Sequence, residues 1–152
     1  MNFSTKSRYA LRMLVDIAAH QDNGKVKIKD ISSRQDISQK YLEQIITTLS
    51  KYDLVRGERG PQGGYILTRP ASDISVAEVV RLIEGGLSPV PCIKENGVEC
   101  DNKDNCTTLD MWMRIEEAVT KIMTETSIQD LLDDANRKGI VKIQYTMPEY
   151  II

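Results

Sequence analysis

The sequence predicts a mainly α-helical chain with one small β-hairpin, and three observations predict it. Leu42, Ile45, Ile46 and Leu49 recur at i, i+3, i+4 and i+7, the apolar stripe of an amphipathic helix. Two short apolar runs, Leu54-Val55 and Tyr65-Ile66-Leu67, flank a segment with Arg56, Arg59, Pro61 and four glycines, which is a hairpin with a cationic, glycine-rich tip. Trp112, Ile115, Val119 and Ile122 step by 3, 4 and 3, a longer helical stripe over residues 108–124. A polar-faced helix followed by a basic hairpin is a winged helix–turn–helix, here with a long dimerisation helix behind it.

Taken in order, Ala10, Met13, Leu14, Ile17 and Ala18 mark a first helix from Thr5 to about Gln21. Arg8 and Arg12 lie off its stripe, where they meet either phosphates or solvent. His20, the one histidine, is read as exposed rather than as a ligand. Asn23-Gly24 ends this helix. Val26 and Ile28 alternate with lysines and are expected to form a short strand beside the hairpin. Residues 29–35 form a short helix, and Asp36-Ile37 turns into the helix of residues 38–50. There Ser38 is placed to cap the first free N–H groups, and Lys40, Glu43, Gln44 and Thr47 share the face opposite the apolar stripe.

Pro70 and Asp73 interrupt the pattern. Ser75 and Glu78 then read as a capping box that opens a helix to Glu84, which Gly85-Gly86 stops. Residues 87–107 hold two prolines, many charged side chains and all three cysteines, a loop with no core of its own. After the long helix, Ser127 caps a last short helix containing Leu131 and Leu132. The tail from Ile140 to Ile152 alternates loosely and is expected to pack back on the body. The domain reading is 1–70 as the winged helix–turn–helix, 71–107 as connecting helix and cysteine loop, and 108–152 as dimerisation helix and tail.

At 152 residues the chain is one domain, or one domain with an appendage. No run approaches the ~20 apolar residues of a membrane span, and the first ten residues are no signal peptide. A cytoplasmic protein without a membrane partner is expected. The net charge of −2 conceals an asymmetry, +5 over residues 1–69 and −7 over residues 70–152. A basic front and an acidic rear suit a DNA-binding module joined to a sensing or pairing module.

Cys92, Cys100 and Cys106 follow C-x7-C-x5-C, which matches no usual zinc spacing. In a reducing compartment a disulfide framework is not expected. The residues themselves leave open an iron–sulfur cluster, a thiol redox switch, or unliganded thiols. The acidic residues Glu95, Glu99, Asp101, Asp104 and Asp110 offer oxygen donors, none of them singled out. An enzyme built on a reactive cysteine would need a nearby base, and His20 is remote in sequence. A dimer using the winged helix for protein contacts is disfavoured by the base-sized polar groups on the exposed helix face.

The opening STKSRYALRML, the motif SQKYLEQ, the wing RGPQGGYIL and a cysteine loop before a tryptophan-bearing helix resemble the IscR-type winged-helix transcriptional regulators, the family that also contains NsrR and CymR. The resemblance covers roughly residues 1–135. It implies a homodimer on a pseudo-palindromic double-stranded DNA operator, with the long helix as the dimer element; a repressor is the function expected, and the sequence leaves repression and activation both open. It also implies that Cys92, Cys100 and Cys106 hold an iron–sulfur cluster, [2Fe–2S] in IscR-like members. IscR-like members supply a histidine three residues after the last cysteine, where this chain has Leu109. NsrR-like members use an aspartate near the amino terminus, where it has Arg8. No fourth ligand is therefore assigned. CymR-like members lack the cysteines, and Ser88-Pro89-Val90 with the helix around Trp112 looks much like theirs, so a cluster-free repressor of cysteine and sulfur metabolism is the alternative.

On that basis Lys40, Glu43 and Gln44 are expected at base edges in the major groove, and Ser38 and Tyr41 at the DNA backbone. Arg59 is expected in the minor groove. Gly60, Pro61, Gly63 and Gly64 belong to the same contact, the glycines supplying the tight positive-φ backbone that lets the wing approach.

Overall fold

The computed structural model describes residues 2–141, so the expected packing of the tail beyond Val141 lies outside the described residues. Helix α1 (Thr5–His20) is capped by the Ser4 hydroxyl, which accepts from the Ser7 N–H. A single 3₁₀ turn follows, then α2 (Ile28–Gln35) and α3 (Gln39–Lys51). Between them Asp36 takes a left-handed conformation, φ 54°, which a short polar side chain tolerates in a sharp turn.

Strands β1 (Val55–Glu58) and β2 (Gly64–Leu67) pair antiparallel with Val55 opposite Leu67 and Glu58 opposite Gly64. The expected strand beside them shrinks to one residue. Val26 exchanges both backbone hydrogen bonds with Tyr65, at 2.9 and 2.8 Å. Ile28, expected in that strand, is instead the first residue of α2. The Lys27 carbonyl already accepts from Asp30 and Ile31, at 3.0 and 3.1 Å, so the helix begins where the strand would have continued.

Helix α4 (Val76–Glu84) starts at Ser75, whose hydroxyl accepts from the Glu78 N–H. The expected box is only half made, because the Glu78 carboxylate turns outward to pair with Arg69. The full reciprocal box is at Ser127 and Asp130, opening α6 (Ile128–Arg137). Val76 N–H donates to the Thr126 carbonyl and Ile128 N–H to the Ile74 carbonyl, which ties the starts of α4 and α6 together. The cysteine loop contains a hairpin the sequence did not suggest, β3 (Ile93–Lys94) with β4 (Gly97–Val98). The long helix α5 spans Leu109–Glu125.

One core holds the front of the molecule together. Met13, Leu14 and Ile17 of α1 meet Leu42, Ile45 and Leu49 of α3, with Ile31, Leu54, Ile74 and Ile128 closing around them, all fully buried. Each such side chain contributes roughly 1.5–3 kcal/mol relative to exposure. A smaller group of Val76, Ala77, Val80 and Leu87 lies under α4. Helix α5 joins it only from the edge: Met123 packs against this second group and Trp112, Ile115 and Val119 are half-buried, while Met111, Met113 and Ile122 are 46, 44 and 66% exposed.

Candidate nucleic-acid interface and cysteine loop

Helix α3 presents its polar face because its apolar face is consumed by the core. Leu42, Ile45, Ile46 and Leu49 are buried, which leaves Lys40, Glu43, Gln44 and Thr47 outward. Thr47 satisfies itself on the Glu43 carbonyl at 2.7 Å. Among the described residues the side chains of Lys40, Glu43 and Gln44 have neither hydrogen-bond nor ion-pair partner, so they are free to meet an incoming surface. Ser38 is used as its position suggested, its hydroxyl accepting from the Tyr41 N–H at 3.3 Å. Tyr41 is half-buried, its ring edge-on to Tyr9 at 5.8 Å between centroids. It therefore anchors α3 on α1 and offers only part of its side chain to a partner.

The two arginines of α1 part company. Arg12 donates to the Gln35 side chain and carbonyl, at 3.0 and 2.6 Å, and lies 5.3 Å over the Tyr9 ring. Arg8 is exposed and touches only the Thr5 hydroxyl. Asp16 is a residue the sequence pattern did not single out, although a carboxylate amid the apolar positions of α1 was the available signal. It is 2% exposed. The Arg34 guanidinium grips both its oxygens, Gln35 donates to one of them, and His20 Nδ1 lies 2.8 Å from its carbonyl. Asp16 raises the already high pKa of Arg34 chiefly through these hydrogen bonds. The cluster ties α1 to α2. His20 is thus half-buried, not merely exposed.

At the wing, Lys25 and Lys27 act as struts. Lys25 pairs with Glu58, and Lys27 donates to the Pro61 carbonyl at 3.0 Å. The Lys25 ammonium holds the Glu58 carboxyl below the usual carboxylate range. With the Glu58 carboxylate paired to Lys25, Arg59 at the exposed tip is a cation without a partner among the described residues. The glycines divide by role. Gly60 and Gly64 take positive φ, 109° and 146°. Gly63 does not; it is required because a Cβ there would lie 2.3 Å from the Glu58 carbonyl. The expectation of positive φ at all three is corrected accordingly: Gly63 is selected by close approach of backbone, not by its dihedral angle.

The three cysteines are half-exposed and unpaired. The Glu99 N–H donates to the Cys92 carbonyl at 2.9 Å, so the β3–β4 hairpin brings Cys92 and Cys100 to its open end. Cys106 lies at the start of α5, where the Thr108 hydroxyl, 3.6 Å from its Sγ, and the first backbone N–H groups of the helix hold its thiol below the usual range. Electropositive helix starts favour thiolate in this way. The donor chemistry fits a thiolate-held metal group. The arrangement is open, however: among the described residues no three Cys, His, Asp or Glu side chains converge as a metal site. No helix of the described residues is long and apolar enough to cross a membrane.

A polar helix face with a basic wing beside it, on a core of this kind, defines a winged helix–turn–helix transcription regulator rather than an enzyme. Residues 3–134 match the model of the Rrf2 family, described as an iron-dependent transcriptional regulator, and the chain belongs to that family. It is 37% identical over 134 residues to the HTH-type transcriptional regulator IscR of Photorhabdus laumondii, covering 88% of this chain and 80% of that protein. It is 40% identical over 136 residues to the protein rrf2 of Nitratidesulfovibrio vulgaris, covering 90% of each. Among solved structures, CymR, the global cysteine regulator of B. subtilis, superposes with a TM-score of 0.75 at 29% identity over 88% of this chain and 98% of that one. The IscR of T. potens gives 0.73 at 31% identity over 93% of each.

Proposed function

We propose that this regulator is a cytoplasmic homodimer that represses transcription from a two-fold operator and responds to iron–sulfur or thiol status through Cys92, Cys100 and Cys106. The observation that carries the DNA reading is the unpartnered face of α3 beside an unpartnered Arg59. Lys40, Glu43 and Gln44 read base edges, with Gln44 suited to a bidentate pair with adenine. Ser38 and Tyr41 meet the backbone. Arg59 enters the minor groove from a wing that Gly60, Pro61, Gly63 and Gly64 let approach closely. Residues 1–70 form the reading module and 71–107 the connection and sensor loop. The stretch from residue 108 onward pairs the subunits through α5, setting two reading helices roughly 34–36 Å apart.

Cys92, Cys100 and Cys106 would hold the cluster, [2Fe–2S] by the IscR likeness. Such a group supplies a reversible, oxidation-sensitive tie between the loop and the start of α5. The half-exposed thiols, and the thiolate-favouring place of Cys106, support this reading. A second reading is a cluster-free regulator of the CymR kind working as a thiol switch. It is favoured by the open arrangement of the cysteines and the superposition on CymR.

The test compares anaerobically purified protein, cluster-stripped protein and the triple Cys→Ala variant on one operator, with iron, sulfide and absorption measured in parallel. Stoichiometric iron and sulfide with an operator affinity that differs between the forms supports the cluster reading. An iron-free native protein whose affinity changes with thiol oxidation supports the second. Identical binding curves for all three remove the cysteine switch altogether.

A further inference from the structure

Helices α1, α2 and α6 enclose a groove of about 760 Å3 that no part of the DNA-reading or cysteine chemistry uses. Its walls are Leu11 and Val15 of α1 with Leu131 and Ala135 of α6, and its rim is Ile140 and Val141. Its polar end is the Asp16–Arg34–Gln35–His20 cluster, whose hydrogen bonds are already made within the protein. No buried side-chain nitrogen or oxygen among the described residues lacks a partner. Arg12 and Asp134 line it as well, Arg12 hydrogen-bonded to Gln35 and Asp134 paired with Arg137 and Lys138, so its polar groups are engaged within the protein and its walls offer an apolar occupant a lined surface.

We propose that the occupant is this chain's own segment of residues 142–152, laid into the groove in extended form. The chain passes from the described body into that segment at the groove's rim, since Ile140, 71% exposed, and Val141 both line it. Tethering at that point gives the segment a high effective concentration over the groove. Its sequence suits the fit. Ile143, Tyr145 and Met147 alternate with Lys142, Gln144 and Thr146, which puts three apolar side chains on one face of an extended strand and polar ones on the other. The family match ends at residue 134, so the segment lies beyond what the family model describes. Docked there, it joins α6 to α1 and α2.

The experiment uses three proteins: the full chain, a chain ending at Val141, and the full chain carrying Ile143→Asp, Tyr145→Asp and Met147→Asp. Amide exchange on α1 and α6 and fluorescence of an apolar-surface dye are the readouts. Both variants are expected to exchange on the order of tenfold faster along the groove and to bind more dye. A synthetic peptide of residues 142–152 reverses both effects on the shortened chain. Exchange and dye binding equal to the full chain in both variants overturns the proposal. So does a small molecule found in the native mass spectrum of the full chain whose removal alone exposes the groove. So does protection of a tail-less subunit by the tail of a full-length partner in a mixed dimer. One arm needs no variant: excess peptide leaves exchange in the unmodified chain unchanged if the groove is filled in cis, and slowed exchange overturns the proposal.

Discussion

The front and rear of this molecule differ in how far one chain can finish them. Around α1 and α3 every large apolar side chain of the stripe is buried, and Lys40, Glu43 and Gln44 are left outward. Around α5 and the cysteine loop nothing on the helix is buried, and the three sulfurs do not converge. The first region is complete as a single subunit because its helices supply one another with apolar surface. The second buries its helix only in part, leaving Met111, Met113 and Ile122 exposed, and exposed apolar side chains gathered on one helix are what an interaction surface is made of.

The strongest way to break this contrast is to charge the half-buried apolar side of α5. Ile115→Asp or Val119→Asp should yield monomers in sedimentation and weaken operator binding by about 10²–10⁴-fold, the loss expected when two linked half-sites become independent. Unchanged folding of the front half, read by circular dichroism, is part of the expected outcome. A dimer that persists in both variants would move the pairing surface elsewhere.

The next effect concerns the finished region. Asp16→Ala strands Arg34 and releases Gln35. Breaking a buried ion pair costs ~3–5 kcal/mol, but Arg34 is about a third exposed and water can screen it. About 2–3 kcal/mol is the expected loss in denaturant unfolding. A loss under half a kcal/mol would mean that the cluster does not brace α1 against α2.

Gln44→Ala sharpens the same region from outside. It removes no internal contact, so stability should hold while operator affinity falls by on the order of 1–3 kcal/mol and affinity for random DNA barely changes. Equal losses on both would make Gln44 a backbone contact rather than a base contact.

The smallest effect joins the two regions. The Glu84 carboxylate, at the end of α4, accepts from the Ser4 N–H at 2.8 Å, from the Ser4 hydroxyl at 2.6 Å and from the Ser7 hydroxyl. These bonds, that from the Ser4 hydroxyl foremost, hold its pKa below the ordinary carboxylate value. A depressed folded pKa contributes stability above the unfolded value of about 4.3 and loses it as pH falls through the folded value. Glu84→Gln should therefore be less stable than the parent at pH 7, with the difference closing in acid below about pH 4. A difference that is the same at both pH values would assign the effect to packing.

Much of the fold could be read from residues a few places apart. The stripe of α3, the hydroxyls of Ser38 and Ser127 at helix starts, and the glycine-rich wing between two apolar runs each rest on periodicities of one or two turns. Such patterns are local, since they express which side of a helix or hairpin can leave water. Tertiary structure alone decided the rest. Val26 became a single bridge because Lys27 opens a helix, and Arg12, still exposed, found Gln35. Gly63 was required by a carbonyl above it, and Glu84 found Ser4 and Ser7 nearly eighty residues away. The half-exposed, separated cysteines belong here too, because their spacing names a donor set without stating the distances between its members. A contact between distant segments depends on where the whole core places two surfaces, and no short stretch of sequence contains both of them.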